Sequence, residues 1–424
     1  MKRTVASVAL LGAAALVLTG CAGGGSAGGP GSASGPVTLT FWHGYTADDG
    51  KKLNQIIDEF NESQKQVTVK YQVKTWQVIG DSLLPALAAK KAPQLIALPA
   101  EQLPVYAGKG AFADLSGYYA GSAAAKTIKP ETVAMEEVGG KQYGVPTGFV
   151  PLSVIYNKKL FKAAGIDTFP TTWDEWLADA KKLTIDKNGD GTPEQYGLAL
   201  PDHATVGNGV WASLFYGNGG AIAIGTTAQL DSPANVQTLT YWADAVRKDK
   251  ISPTGLDGIK SDNLFASGKA AMEVGGPWMT FVAADNKIDS GVAAIPAGPK
   301  GAAASAIGVS MGVSSQATDA EKKGAEQFFD YFYSKKVAAQ WSLGSGWPPL
   351  TTNVAASDVA SNPLVASLTD IAAKGTKPLL PGVIKSSDAL AAVDEATQKA
   401  LAGQDPATVL KASQPVLQEA LSAK

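Results

Sequence analysis

The chain has 424 residues, 36 basic and 38 acidic side chains, a net charge of −2 and a hydrophobic fraction of 45%. It contains no block of like charge, which argues against binding of nucleic acid and against a polybasic membrane-binding patch. Its length is sufficient for two domains of ordinary size.

The N-terminus has the pattern of a secretion signal. An apolar run over residues 5–18 follows two basic residues and closes on the letters LTGC at 18–21. The run is about 14 residues long, shorter than the roughly 20 that a membrane-spanning helix needs. LTGC has the form of a bacterial lipobox, and this resemblance implies that residues 1–20 are removed and that Cys21 carries lipid. The alternative is an ordinary signal peptide with a leftover cysteine.

Cys21 is the only cysteine in the chain, so no internal disulfide is possible and the sole thiol lies where lipid would attach. Residues 22–36 read AGGGSAGGPGSASGP, a composition too poor in large apolar residues to build a core. We therefore predict a lipidated tether over 21–36 that holds a globular body, 37–424, at the outer face of the cytoplasmic membrane.

From residue 37 onward, predicted strands alternate with predicted helices, which indicates an α/β fold. Alternating or continuous apolar residues predict strands over 37–42, 67–73, 94–98, 150–157 and 305–314. Apolar stripes and N-terminal caps predict helices after 46 and over 82–90, 101–108, 173–183, 233–248 and 318–340, followed by helices at the C-terminus. Two capping boxes are predicted, one from Thr172 to Glu175 and one from Thr318 to Glu321.

Six short segments follow one another along the chain: FWHGY at 41–45, GKQYGVP at 140–146, YNKKLFKAAGI at 156–166, TTWDEWLADAKKLT at 171–184, FASGKAAMEVGGPW at 265–278 and GSGWPPLT at 344–351. Each is weak alone, but in this order behind a lipobox they resemble the family 1 extracellular solute-binding proteins, the maltose-binding-protein-like group. The resemblance implies a two-lobed periplasmic-binding-protein fold of type II. Each lobe would be a mixed sheet flanked by helices, with a hinge and a central cleft for the solute.

The same resemblance implies how the chain is divided and what it contacts. An N-terminal lobe would comprise 37–146 plus 302–346, and a C-terminal lobe 150–300 plus 350–424. Closure of the lobes on a solute would be recognised by the permease of an ABC importer. We expect a monomer that contacts this permease, the membrane through lipid on Cys21, and no nucleic acid.

A sugar has apolar C–H faces ringed by hydroxyls, so its binding site needs flat aromatic rings and short polar side chains. The tryptophans near the implied cleft, each of which could instead be a core residue, are Trp42, Trp76, Trp211, Trp278 and Trp347. Trp278 and Trp347 are the strongest candidates because glycine and proline flank them. The remaining tryptophans, predicted to be core residues, are Trp173, Trp176, Trp242 and Trp341.

Four further residues are candidates for ligand contact. Glu101 follows a predicted strand, where the family often has a carboxylate that binds ligand hydroxyls, although a solvated loop residue is an equal alternative. Asp81 lies about one turn after Trp76 and could instead cap a helix. His43 could donate to the solute or be satisfied by its own loop. Gly308 resembles a glycine whose backbone approaches the ligand in relatives.

The arginine content discriminates among solutes. Arg247 is the only arginine after the signal sequence, and it comes late in a predicted helix beside two lysines. Phosphates and carboxylates favour the bidentate guanidinium group, so a small neutral solute, a sugar or oligosaccharide, is favoured. FWHGY, Trp76 and GSGWPPLT nevertheless resemble the branch that binds glycerol-3-phosphate or glycerophosphodiesters, which is the alternative solute class.

A second motif resembles the first half of an EF-hand calcium loop. Its candidate ligands are Asp186, Asn188, Asp190, Thr192 and Glu194. Gly197 stands where the bidentate glutamate of an EF-hand belongs, so a plain polar turn is the alternative. No cofactor is required, and a calcium ion here would be structural.

The main alternative to a binding protein is a lipid-anchored hydrolase acting on carbohydrate. Gly308, Ser310 and Gly312 match the G-x-S-x-G nucleophile motif. Both histidines, His43 and His203, precede Ser310, whereas the hydrolase fold needs a histidine after the nucleophile. We therefore predict that the protein is not an enzyme. A structural scaffold is a third class, but it would not need tryptophans around a cleft.

Overall fold

A computed structural model describes residues 35–46, 48–203, 206–372 and 376–423. The predicted signal peptide, Cys21 and the predicted tether up to residue 34 lie outside the described residues, so lipidation stays a prediction. Contacts join Pro36–Lys424 into one compact unit. Among the described residues, no helix combines the length and apolar character needed to cross a membrane.

The strands of the described residues are, in chain order, β1 Val37–His43, β2 Val67–Val73, β3 Leu95–Pro99, β4 Glu137–Val138, β5 Lys141–Gln142, β6 Val145–Pro151, β7 Ser153–Asn157, β8 Ala223–Ile224, β9 Thr227–Ala228, β10 Met272–Gly275, β11 Ser290–Ala294, β12 Ala304–Val313 and β13 Thr376–Pro378.

The α-helices are α1 Asp48–Ser63, α2 Trp76–Ala88, α3 Leu103–Gly108, α4 Ser116–Gly121, α5 Pro130–Val133, α6 Lys158–Ala163, α7 Trp173–Leu183, α8 Val206–Gly217, α9 Pro233–Arg247, α10 Gly258–Ala266, α11 Trp278–Asp285, α12 Asp319–Phe332, α13 Lys335–Ser345, α14 Ala356–Val359, α15 Pro363–Ala372, α16 Ser386–Leu401 and α17 Pro406–Leu421. Short 3-10 helices occupy Ala100–Gln102, Ala125–Thr127 and Ala134–Glu136.

The larger of two main sheets is built around the long strand β12. Its order is β13-β12-β3-β1-β2, and β6 pairs with β12 as well. Strands β1, β2 and β3 run parallel, while β12 is antiparallel to both β3 and β6. The second sheet has the order β10-β7-β11 and is antiparallel throughout. Helices surround both sheets, which confirms the predicted α/β class.

The chain passes between the two sheets at residue 152. Strand β6 belongs to the larger sheet and β7 to the smaller, and only Leu152 separates them. The backbone N–H of Leu152 donates to the carbonyl of Ser305 at 2.9 Å, so the connection is tied to β12. The single strand predicted over 150–157 is therefore wrong: its two halves pair in different sheets. The chain returns to the larger sheet between β11 and β12.

Local caps begin two helices where the sequence predicts them. The Thr172 and Thr318 side chains accept from the backbone N–H of Glu175 and Glu321, and both glutamates accept in return. The single helix predicted over 318–340 is instead two helices, α12 and α13, with a break at 333–334. At the break the Tyr333 hydroxyl donates to the carbonyl of Pro146 in β6, a tertiary contact that the local sequence does not reveal.

Two large apolar clusters form the core. One packs helices against the smaller sheet and contains Trp173, Trp176 and Trp242; the other packs against the larger sheet and contains Trp341. All four are at most 5% exposed, which confirms their predicted core position. Burial of one large apolar side chain of this kind stabilises a fold by about 1.5–3 kcal/mol.

Candidate functional site

The candidate site lies along one side of the larger sheet, where strands β1 and β3 end, and this side is called the edge below. Parallel strands β1 and β3 end there, and ligands of open α/β sheets bind outside the carboxyl ends of such strands. In the same region Val309 of β12 is paired with Pro99, the last residue of β3, and with Gly148 of β6. Residues that follow β1 and β3 are therefore close to the middle of β12.

Trp76 lies against the backbone just after β1. A Cβ atom added to Gly44 would be 2.2 Å from Cδ2 of the Trp76 ring, so only glycine leaves room for this ring. The half-buried indole also meets Tyr45 edge-on, with ring centroids 5.2 Å apart. The side chain of Thr75 accepts from the N–H of Val78 and begins α2, which fixes the backbone that carries Trp76.

Tyr45 links Trp76 to β6. Its hydroxyl is 2.8 Å from the hydroxyl of Thr147, whose carbonyl accepts from Nε1 of Trp341 at 2.8 Å. Thr147 immediately precedes Gly148. This buried network holds the end of β1 against β6, so the edge is rigid.

Trp347 covers Gly148. A Cβ atom at Gly148 would be 2.6 Å from Cε3 of the Trp347 ring. Gly346 ends α13 in the left-handed region with φ 78°, which turns the chain so that Trp347 points back onto the sheet. Only 4% of Trp347 is exposed, so its ring is enclosed in this conformation.

Glu101 and Gly308 line one small cavity together with Ala100 and Met135. A Cβ atom at Gly308 would be 2.4 Å from the methyl carbon of Met135, so the backbone is closely approached. Burial raises the pKa of Glu101 to about 7. Near neutral pH its carboxyl group therefore exists in both forms, and it can donate a hydrogen bond to a hydroxyl or accept one.

Trp278 approaches this edge from the smaller sheet. It follows β10 and begins α11, and its ring lies on Gly276, where a Cβ atom would be 2.1 Å from Cζ3. The same Cβ would be 2.7 Å from Cδ1 of Ile307, the residue before Gly308. Nε1 of Trp278 donates to Oδ1 of Asp262 at 3.3 Å. Trp278 and Ile307, a residue of β12, thus meet at Gly276.

Trp42 and His43 are the last two residues of β1, but other side chains already occupy them. Nε1 of Trp42 donates to Oε1 of Gln72 at 2.9 Å, and the ammonium group of Lys74 lies 4.7 Å from the ring centroid. His43 is 0% exposed, its Nε2 lies 3.0 Å from Oδ1 of Asn54, and burial lowers its pKa. An enclosed neutral imidazole has no surface for a solute in this conformation.

The structure does not bring Asp81 or Trp211 to this edge. Asp81 is exposed on α2 and accepts from Nε2 of Gln77 at 3.0 Å, one turn away. Trp211 is 0% exposed in the core around the smaller sheet, and its Nε1 donates to the carbonyl of Pro201 at 3.1 Å. These contacts are those of a surface helix residue and a core residue.

Four residues of this edge escaped sequence reasoning. Three of them, Tyr45, Thr147 and Gly148, act through neighbours distant in sequence, whereas the fourth, Gly276, lies under the nearby Trp278. The FWHGY and GGPW segments contain Tyr45 and Gly276, and a glycine beside an aromatic segment is a signal that could have been used. Thr147 and Gly148 carried no local signal.

The hydrolase motif is not a nucleophile elbow. Ser310 lies inside β12 and is 0% exposed, and its Oγ donates to Oε1 of Glu136 at 2.9 Å. A nucleophile elbow is an exposed turn between a strand and a helix, with a histidine as base. The imidazoles of His43 and His203 are hydrogen-bonded to Asn54 and Asp202, and neither is hydrogen-bonded to Ser310.

The predicted calcium loop uses its oxygens internally. Asp186 accepts from the backbone N–H groups of Gly189 and Gly191 at 2.7 and 2.8 Å, and Asp190 accepts from that of Thr192 at 2.7 Å. Further contacts of the same kind are Asn188 with the N–H of Asp190 and Glu194 with that of Lys187. Among the described residues, no group of three or more His, Cys, Asp or Glu side chains is arranged to hold a metal ion. These hydrogen bonds favour the alternative of a plain polar turn, and calcium binding is tested by the following experiment.

We expect removal of calcium to leave stability unchanged. Because backbone N–H groups already satisfy these oxygens, the loop should be as stable without an ion. The measurement is the melting temperature with EDTA and with excess calcium. A decrease of several degrees in EDTA, reversed by calcium, would instead establish a structural ion.

Comparison with known proteins identifies the class that this fold and edge define. The family model for bacterial extracellular solute-binding proteins matches residues 43–339, and the chain belongs to this family. It is 28% identical over 407 residues to the diacetylchitobiose binding protein DasA of Streptomyces coelicolor, covering 90% of each chain. It is 24% identical to the sn-glycerol-3-phosphate-binding periplasmic protein UgpB of Yersinia pestis over 74% of each.

A solved structure has the same architecture over nearly its whole length. The ABC substrate-binding protein of Listeria monocytogenes in complex with cycloalternan is 25% identical to the chain, with a TM-score of 0.79. The alignment covers 92% of this chain and 100% of that one. The fold is thus the two-lobed fold of periplasmic binding proteins, as predicted. The residue limits predicted for the two lobes stay predictions.

Proposed function

We propose that the protein captures a sugar or small oligosaccharide outside the cell and delivers it to the permease of an ABC importer. One observation carries the proposal: the half-buried indoles of Trp76 and Trp278 each lie on a glycine backbone, that of Gly44 or Gly276, beside the larger sheet. Trp347, enclosed over Gly148 in this conformation, would reach a solute only after it is uncovered. Flat rings held in this way suit the C–H faces of a sugar. The name of the Streptomyces relative, a diacetylchitobiose binding protein, supports the same class of solute.

The edge also supplies polar groups for hydroxyls. Glu101, with its pKa near 7, can donate to or accept from a hydroxyl. Gly308 lines the same small cavity, where Met135 now covers its backbone. Closure of the lobes would remove water from these groups and strengthen each hydrogen bond. An affinity near micromolar, about −8 kcal/mol, would allow capture and release. We infer a monomer, because one chain carries the whole edge.

Calorimetry tests the solute class. We expect saturable heat from diacetylchitobiose or another member of a panel of neutral sugars, and none from glycerol-3-phosphate or glycerophosphocholine. The reason is that Arg247, the only arginine among the described residues, is exposed at the end of α9, with its guanidinium beside Gly403. Heat only from the phosphate compounds would overturn the sugar proposal in favour of the ligand that gives the Yersinia relative its name.

The same purified protein tests the enzyme alternative. We infer that it binds without turnover, since Ser310 is buried in a strand. Prolonged incubation with the sugar that gives saturable heat should leave the sugar intact by chromatography. Release of smaller sugars, lost on removal of a carboxylate at the site, would identify an enzyme.

We propose that Cys21 anchors the protein to the outer face of the cytoplasmic membrane. The lipobox form of residues 18–21 supports this, together with the absence of any other cysteine. Replacing Cys21 with serine should release the protein into the medium, because serine has no thiol to acylate. The measurement is the ratio of membrane-bound to released protein by immunoblot. Unchanged membrane retention of Cys21→Ser would contradict the proposal.

A further inference from the structure

Behind Trp278 lies a pair of carboxyl groups that the proposed function does not use. Asp262 on α10 accepts from Nε1 of Trp278 at 3.3 Å. Its carboxyl group also contacts that of Glu273 on β10. Glu273 is 2% exposed, and its Oε2 has no hydrogen-bond partner in the described part of the chain. The two acidic groups and the indole thus form a chain that leads from the core of the smaller sheet to the candidate site.

The pair holds one proton. Two carboxylates in contact and away from water cannot both be ionised, so one remains protonated and donates to the other. Burial, together with the charge of Asp262, raises the pKa of Glu273 well above its ordinary value. Burial also raises the pKa of Asp262, although its hydrogen bond with Glu273 acts in the opposite direction. The proton therefore resides on Glu273, and Asp262 is the acceptor for both Glu273 and Trp278.

The surroundings do not neutralise a second negative charge on the pair. Asp257, at the start of α10, raises the pKa of Asp262 further, and its own charge is balanced by Lys260 at 3.4 Å and by the field of His203. The residues paired with Glu273 across the neighbouring strands are apolar: Ile155 and Ala199. The phenol Tyr156 is one position away, paired with Met272, and the phenol Tyr196 lies three residues before Ala199, where it bridges to Ala270.

We propose that Asp262 and Glu273 are positioning residues that hold the Trp278 ring in place for the solute, and that their shared proton limits the pH range in which they do so. When the proton leaves, repulsion drives the half-buried Asp262 carboxylate toward solvent and breaks its bond to the indole. The ring then keeps its contact with Gly276 and its packing against the cluster of Ile155, Phe265, Met279 and Ala283, but it loses the hydrogen bond that fixes its orientation. The link to solute affinity rests on the proposed sugar-binding function, whereas the link between the carboxyl pair and Trp278 does not.

Indole N–H resonances test the positioning without any solute. In the full chain labelled with ¹⁵N-tryptophan, Trp278→Phe assigns the signal of Trp278. We expect that signal to shift as the pH is raised in the unmodified protein. In Glu273→Gln, where an amide N–H donates to Asp262 at every pH, the signal should not move. The fully buried Trp242, in a separate cluster, serves as an internal control. A Trp278 signal that does not titrate, or that titrates equally in Glu273→Gln, would overturn the proposal.

Affinity is the second readout, with diacetylchitobiose as the probe. We expect the Kd to weaken about tenfold from pH 6 to pH 9, the fold-change that corresponds to loss of one charged hydrogen bond. Glu273→Gln should show a flat profile, and Asp262→Ala should bind about tenfold more weakly at both pH values. If Glu273→Gln fails to fold, Asp262→Asn takes its place. This variant retains an acceptor without charge, so its Kd should also be independent of pH. Equal Kd values for Asp262→Ala and the unmodified protein would refute positioning. If no neutral sugar binds, the proposed function fails, and the resonance titration still decides the role of the pair.

Discussion

Gly44→Ala is expected to weaken sugar binding by about tenfold or more while leaving the protein folded. An added Cβ would be 2.2 to 2.7 Å from three atoms of the Trp76 indole, so the ring has to move. Gly44 does not have a positive φ, and alanine therefore fits its backbone. Trp76 is half-buried at the start of α2, so its ring can move toward solvent at a lower cost to the fold than an enclosed ring such as that of Trp347. What is lost is the flat surface that we assign to the sugar.

Two other glycines make the experiment interpretable. Gly117→Ala is the matched control, because this exposed glycine lies within α4 and an added Cβ would meet nothing within 4 Å. Gly148→Ala provides the contrast, because its Cβ would meet the enclosed ring of Trp347, which has nowhere to go. Overpacking of this kind costs about 1–3 kcal/mol of stability.

Calorimetry with the best sugar of the panel and a thermal melt separate the outcomes. We expect Gly44→Ala to lose affinity with a nearly unchanged melting temperature, Gly148→Ala to lose melting temperature, and Gly117→Ala to change neither appreciably. Wild-type affinity in Gly44→Ala would show that Trp76 does not contact the sugar. The site would then have to be built from Trp278 and Trp347 alone.

How well the secondary structure and the sheets could be predicted depends on how far apart the interacting residues lie along the chain. The capping boxes at Thr172 and Thr318 involve residues three positions apart, and both helices begin as predicted. The break after α12 and the sheet change at Leu152 were missed because each depends on a partner far along the chain. For Tyr333 that partner is the carbonyl of Pro146, and for Leu152 it is that of Ser305.

The candidate site divides in the same way. Flanking glycine and proline favoured Trp278 and Trp347 over Trp211, which lies in the core, but they did not show which backbone each ring would lie on. The glycines under the rings decide this, and an indole and its glycine can be about 200 residues apart, as for Trp347 and Gly148. Pairing of a ring with a remote glycine is a tertiary property. The sequence therefore predicts that tryptophans contribute to the site, but only the structure shows which glycines they lie on.

Raising the pH from 5 to 8 is expected to lower the free energy of unfolding, and Glu136 alone should contribute on the order of several kcal/mol. This side chain is 0% exposed, its Oε1 accepts from Oγ of Ser310 at 2.9 Å, and its Oε2 has no hydrogen-bond partner in the described part of the chain. Burial raises its pKa from an ordinary 4.5 to about 8. The hydrogen bond from Ser310 acts in the opposite direction but is the smaller effect.

The sign follows from proton binding. Below pH 4.5 the carboxyl group is protonated in both the folded and the unfolded chain, so pH has no effect through this group. Between pH 4.5 and 8 the folded chain retains a proton that the unfolded chain has released, and the free energy of unfolding therefore falls as pH rises. The change is about 1.4 kcal/mol for each unit by which the two pKa values differ. Above pH 8 both forms are ionised and the decrease ends.

Glu136→Gln isolates this contribution from those of Glu101 and Glu273, which have raised pKa values of their own. Glutamine retains the acceptor for Ser310 and never ionises, so guanidinium denaturation at pH 5, 6.5 and 8 should show a smaller pH dependence than in the unmodified chain. Glu137→Gln, at the exposed neighbouring position, should show the original dependence. If both variants show the same pH dependence of the unfolding free energy as the unmodified chain, Glu136 is already ionised in the folded state. Its charge would then have to be compensated by a cation or water near Oε2, beside Gly144 and Leu103.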